Sequence, residues 1–176
     1  MKLKLLIAAV AIVVVGCKAQ SNDTAPSVTN TCLDKPAAEQ AQAIRNGTLT
    51  SEQLVTGYLA RIEERDKKVN SILVLNSNVI AQAKAADEQT QKGTFTGPLH
   101  GIPVLLKDNI EASELPTTAG SMALVNNRTG RDAPIVANLK AAGAIILGKT
   151  NLSEWANFRS ESSISGWSAV GGLTRN

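Results

Sequence analysis

Gly97-Pro98-Leu99-His100-Gly101-Ile102-Pro103-Val104-Leu105-Leu106-Lys107-Asp108-Asn109 is an apolar run, punctuated by glycine and proline, whose strand-like part ends in a lysine. Five of the six residues from Ile102 to Lys107 are apolar or proline. Such a run reads as a strand buried on both faces, as in a parallel sheet. A lysine at its end is either carried out to water or held at the sheet's carboxyl edge, where open α/β sheets place their ligands.

Downstream, Asp132-Ala133-Pro134 reads as a helix start, with Asp132 as N-cap and proline just inside it. The helix is expected to run to Ala142 and stop at Gly143. Ala144-Ile145-Ile146-Leu147 is a second fully apolar strand, ended by Gly148-Lys149. Strand, helix and strand make a candidate βαβ unit with a right-handed crossover. Upstream, 37–45 is a short helix closed by Asn46-Gly47. Thr50 and Gln53 form a capping-box pattern before the helical stripe Leu54, Val55, Tyr58, Leu59, Ile62. A short strand at 71–75 and an alanine-rich helix at 78–92 follow. Beyond Lys149, 151–155 is expected to open a short helix, and the Ser- and Gly-rich stretch 158–176 to be irregular.

Composition agrees with a globular α/β chain: 176 residues, 43% hydrophobic, 19% charged and only 3% aromatic. The net charge of +3 is inflated by Lys2 and Lys4. Removing them from the 18 basic residues leaves 16 against 15 acidic ones. There is no basic stripe, so nucleic-acid binding has no compositional support. Neither the two cysteines nor the single histidine has zinc-ligand spacing, and no metal or cofactor is expected. His100 sits in a turn context and reads as structural.

The N-terminus reads as an export signal. Lys2 and Lys4 precede an apolar stretch from Leu5 to Val15, 11 residues long and too short to span a bilayer. Val14-Val15-Gly16-Cys17 resembles the bacterial lipoprotein box, which implies lipid on Cys17 and anchoring to the cell envelope. Lys18 after the cysteine, rather than aspartate, resembles the sorting pattern for the outer membrane. Residues 1–16 are thus a signal peptide, and 17–36, polar and rich in Ser, Thr, Asn and Asp, a flexible tether. With Cys17 in a thioether, Cys32 would be a free thiol or would pair outside this chain.

Two strands end in lysines, Lys107 and Lys149, and spacing alone does not choose between them. A lysine acting as a base near neutral pH must have its pKa lowered by about 3 units from ~10.4, a cost of about 4 kcal/mol, which burial in apolar surroundings can impose. Lys107 follows Val-Leu-Leu, whereas Lys149 follows a glycine and precedes Thr150-Asn151. Lys107 is the better candidate for burial. Asp108 beside it is a possible charge partner, although adjacent strand residues point to opposite faces.

The stretch 97–109 resembles the lysine motif of the amidase signature family. Further matches follow in that family's order: Thr117-Thr118-Ala119-Gly120-Ser121, then Gly148-Lys149-Thr150-Asn151-Leu152-Ser153-Glu154-Trp155-Ala156, then Ser165-Gly166-Trp167-Ser168 and Gly171-Gly172-Leu173-Thr174-Arg175-Asn176. The likeness runs from about Leu49 to the last residue. It implies a mixed-sheet α/β fold with helices on both faces, of which 37–176 is the N-terminal portion and incomplete. It also implies amide hydrolysis by a Ser–cis-Ser–Lys triad with Lys107 as its lysine, and a substrate-side role for Thr118, Gly120 and Ser121. The family's Gly/Ser-rich signature with both triad serines comes after the segment matching 174–176. The resemblance therefore implies a chain inactive by itself and prone to aggregate, while Ser160, Ser162, Ser163, Ser165 and Ser168 precede that signature and are not assigned. The implied partners are a small amide substrate and, through Cys17, a membrane. A lipoprotein that binds an amide-bearing ligand without cleaving it is the alternative. The amidase component of a tRNA-dependent amidotransferase is similar too, but export argues against a cytoplasmic substrate.

Overall fold

The computed structural model describes residues 30–158 and 160–176. Its helices are α1 (Asn30–Leu33), α2 (Ala37–Arg45), α3 (Ser51–Val69), α4 (Val79–Gln91) and α5 (Pro134–Ala141). Its strands are β1 (Ile72–Leu75), β2 (Pro103–Lys107), β3 (Ile145–Thr150) and a two-residue hairpin, β4 (Trp167–Ser168) with β5 (Gly172–Leu173). The main sheet has the order β1-β3-β2, with β1 antiparallel and β2 parallel to the central β3. The β2–α5–β3 unit is present as its sequence pattern indicates, in a mixed α/β fold.

Alternation along β3 sends successive side chains to opposite faces. Ile145 and Leu147 pack with Val55, Val79 and Ala83 of α3 and α4. Ile146 packs with Leu106 and with Val136 of α5. Helices therefore cover both faces. A third apolar cluster joins Leu33, Ile44, Leu54 and Ile102 under α1–α3. The capping box at α3 is formed: Thr50 Oγ1 accepts from Gln53 N, and Gln53 Oε1 accepts from Thr50 N, both at 3.0 Å. Asp87 of α4 adds a second cap, accepting from Ser51 N at 2.6 Å and Glu52 N at 2.9 Å. This holds two helix-start donors that would otherwise lack partners.

Several elements differ from their sequence reading. The strand buried from Ile145 to Lys149 is β3, while β2, paired on one side only among the described strands, is half-buried from Pro103 to Leu105 and buried only at Leu106. β3 does not stop at Leu147 but continues through Gly148 and Lys149 to Thr150. Gly148 is there because β1 passes close by: a Cβ would collide with Val74 O and lie 3.1 Å from Leu75 Cα. Asp132 is not the cap of α5. Ala133 holds that position, and Asp132 instead accepts from Ser113 N at 2.7 Å and Lys140 Nζ at 2.9 Å. The segment read as a tether ends in α1, where Leu33 is 5% exposed and Tyr58 donates to its carbonyl at 2.9 Å. Cys32 is buried and disulfide-bonded, with its partner outside the described residues, so the free-thiol reading is not what this structure contains. Cys17, the signal segment and most of the tether also lie outside them. The 166–175 segment, expected to be irregular, carries the short β4–β5 hairpin and is held by hydrogen bonds. Asn151 Nδ2 donates to Gly172 O at 3.0 Å, Thr174 Oγ1 to Asn70 O at 2.7 Å, and Arg175 N to Val69 O at 2.7 Å.

Candidate active site at the strand ends

The carboxyl ends of β2 and β3 lie side by side, with Leu106 opposite Lys149 and Lys107 opposite Thr150. A register shift between Val104 and Leu105 skips Leu147 and sets this alignment. The two lysines then meet opposite environments. Lys107 is exposed, and its Nζ makes no hydrogen bond or ion pair among the described residues. Lys149 is fully buried. The expectation that Lys107 would be the better buried of the two is therefore wrong for this chain. The reason is that β3 continues through Gly148, which keeps Lys149 inside the sheet instead of releasing it to solvent.

Burying an ammonium is tolerated only where every donor finds an acceptor. Lys149 Nζ donates to Asp108 Oδ1 at 2.9 Å, to Pro116 O at 3.1 Å and to Thr117 Oγ1 at 3.1 Å. Asp108 is itself 0% exposed. Its Oδ2 accepts from Thr118 N at 3.1 Å and, more closely, from the Thr118 hydroxyl. Its backbone is held too: N–H donates to Thr150 O at 3.2 Å, and its carbonyl accepts from Ala119 N at 3.0 Å. Asp108 thus pairs with Lys149, not with its neighbour Lys107. Composition and spacing did not point to this pair. The available signal was a lysine flanked by Ile-Ile-Leu-Gly on a strand otherwise built for burial.

The same network fixes the 117–121 loop. Thr118 and Ser121 are 2% and 6% exposed, and Gly120 is buried. Thr118 Oγ1 accepts from Gly120 N at 3.0 Å while donating to Asp108. Gly120 has φ +74°, and a Cβ there would stand 2.7 Å from the Ser168 Cβ. Ser168 is itself buried and donates to Asn151 Oδ1 at 2.7 Å. In this chain, then, Thr118, Gly120 and Ser121 face inward. Their neighbours Thr117 and Ala119 line a cavity of about 680 Å³, with Asn109, Ile110, Leu152 and Trp155 among its other walls. Trp155, Ala156 and Asn157 take left-handed conformations, φ 50°, 53° and 64°, so the short helix expected to open over 151–155 is reduced to one irregular turn at Glu154–Asn157. The turn is anchored by Trp155 N, which donates to Ala119 O at 2.9 Å.

His100 is 2% exposed and serves the scaffold. Its Nδ1 accepts from Thr96 N at 3.2 Å, which leaves Nε2 to donate to Ala86 O at 3.0 Å.

Known proteins resemble this chain over most of its length. A putative amidase of Schizosaccharomyces pombe is 41% identical over 152 residues, 85% of this chain and 26% of that protein. A probable amidase of Arabidopsis thaliana is 47% identical over 132 residues, 73% of this chain and 26% of that one. The X-ray structure of native peptide amidase from Stenotrophomonas maltophilia superposes with a TM-score of 0.78 at 46% identity, covering 81% of this chain and 30% of that one. The chain thus spans about a quarter of the length of these curated relatives. The model of the family described as Amidase matches residues 53–176, and the chain belongs to that family.

Proposed function

We propose that this chain carries the lysine of a Ser–cis-Ser–Lys amide hydrolase, with Lys107 as the terminal proton acceptor and both serines supplied by sequence matching the rest of the family domain. One observation carries the choice of lysine. Lys107 stands at the carboxyl edge of β2 with its Nζ unengaged among the described residues, whereas all three Lys149 donors are spent on Asp108, Pro116 and Thr117. A base needs a lone pair directed at its proton donor, and Lys149 offers none. In this reading Lys107 takes a proton from the cis-serine, with the remainder of the family domain supplying the burial that a lysine base requires. That serine has taken one from the nucleophile, which attacks the amide carbonyl; the proton returns along the same path to the leaving amine, and water then releases the acyl group from the nucleophile. Thr117, Ala119 and the cavity they line supply the substrate side in place of the inward-facing Thr118, Gly120 and Ser121. Lipid on Cys17 would place the enzyme on the cell envelope, a reading that requires Cys17 not to be the partner of the bonded Cys32.

The test is amide hydrolysis by the purified 176-residue chain and by the product of a coding frame read past Asn176. The proposal expects no turnover from the former. In the latter, Lys107→Ala should cost about 10²–10⁴-fold, the span of general acid–base catalysis. Turnover by the 176-residue chain that is lost in Lys107→Ala would overturn the need for serines beyond it. A non-cleaving amide-binding lipoprotein draws support from the same cavity, and a genuine stop codon after Asn176 would favour it.

A further inference from the structure

We infer that the buried Asp108–Lys149 pair positions Lys107, an inference that rests on Lys107 being the proton acceptor. β2 has one neighbour among the described strands, so ladder bonds restrain its end from one side only. Asp108, the next residue, adds a restraint from outside the ladder through Thr118 and Ala119, and Lys149 ties the same loop at Pro116 and Thr117. The Asp108 side chain is held by Lys149 and Thr118, and its backbone by Thr150 and Ala119. Residues from β3 and from the 117–121 loop thus converge on the residue that follows Lys107. The pair itself is sealed from solvent, both side chains being 0% exposed. Asp108 and Lys149 are therefore positioning residues that act through the strand end. A base must be held within a few tenths of an ångström to take a proton efficiently, and a strand end fixed from one side only would not hold it so.

The readout is the 15N relaxation order parameter of the Lys107 amide in the 176-residue chain, with the Ile146 amide in β3 as internal reference. The variants are Asp108→Asn/Lys149→Met, which removes both charges together, and Thr118→Val, which removes one hydroxyl and leaves the pair. The expected result is a Lys107 value falling from about 0.85 toward 0.6 in the double variant and partway in Thr118→Val, with Ile146 unchanged. Lys107 as rigid as before, or Lys107 and Ile146 loosening together, would overturn the inference, the latter marking a merely structural pair. Should the double variant fail to fold, Thr118→Val decides by the same criterion. The readout is mobility rather than turnover, so its failure is distinct from failure of Lys107 as base.

Discussion

Lys149 Nζ lies 2.9 Å from Asp108 Oδ1 with both side chains fully buried, while Lys107, next to Asp108 in sequence, is exposed to solvent. The two lysines should therefore respond oppositely to mutation. Truncating one partner of a buried pair leaves an uncompensated charge and costs about 3–5 kcal/mol, whereas replacing both partners by uncharged groups is often close to neutral. In urea unfolding, Lys149→Met and Asp108→Asn are expected to lose that much, and the double variant to recover most of it. Lys107→Met should stay within about 0.5 kcal/mol of the parent, as exposed substitutions do. A Lys107 variant as damaging as Lys149→Met would contradict this placement.

Gly148 allows β1 to approach β3, and its replacement tests that contact. A Cβ would meet the backbone of Val74 and Leu75, neither of which can swing aside as a side chain does. Gly148→Ala should destabilise by about 1–3 kcal/mol, the usual cost of forced overpacking. Gly47→Ala meets no atom within 4 Å and suffers only from its φ of +69°. Thermal unfolding of the two variants separates steric from conformational cost, and an unchanged melting point for Gly148→Ala would place β1 elsewhere.

How far the sequence led can be traced through these residues. The β2–α5–β3 unit and the α3 capping box were legible, because apolar periodicity and cap chemistry act within a few residues. The burial order of the two strands was not. It depends on which strand lies between the other two, a non-local fact that neither apolar run states. Gly148 reads as a stop for the same reason, since its partner Leu75 is far away in sequence. The inward turn of Thr118 and Gly120 followed from Asp108 being taken by Lys149, a pairing across 41 residues. The match to the lysine motif chose Lys107 for a reason independent of burial, and the spent donors of Lys149 support the same choice.

Cys17 and Cys32 allow a direct test of the export reading. A thioether and a disulfide cannot share one sulfur, and the chain has two cysteines. Expression of the full 176-residue chain in a Gram-negative host with labelled palmitate is expected to give a labelled, membrane-bound product, with label and membrane association both lost in Cys17→Ser. A peptide joining Cys17 to Cys32 in a non-reduced digest of the mature protein, without label, would refute lipidation and match the bonded state of Cys32 in the structure.

The cluster of Asp132, Lys140 and Glu114 should give stability a defined pH window. Lys140 Nζ lies 2.9 Å from Asp132 and 2.5 Å from Glu114. Partial burial pushes the Asp132 carboxyl up, but hydrogen bonds from Lys140 and Ser113 outweigh it and hold the group below its ordinary 3.8. Burial likewise pushes Lys140 down, and its two carboxylate partners outweigh that, raising it above 10.5. A carboxyl lowered on folding contributes stability that is present above its unfolded pKa and lost as pH falls through the folded value. An amine raised on folding contributes below its unfolded pKa and loses that contribution as pH rises through the folded one. The cluster is therefore at full strength between about pH 5 and 9, and its partly exposed ion pairs are together worth about 1 kcal/mol. Lys140→Met should remove that increment at pH 7 and flatten both limbs of its pH dependence in urea titrations, whereas Asp132→Asn should flatten chiefly the acid limb. Equal stability of parent and Lys140→Met across that window would show that the cluster contributes nothing.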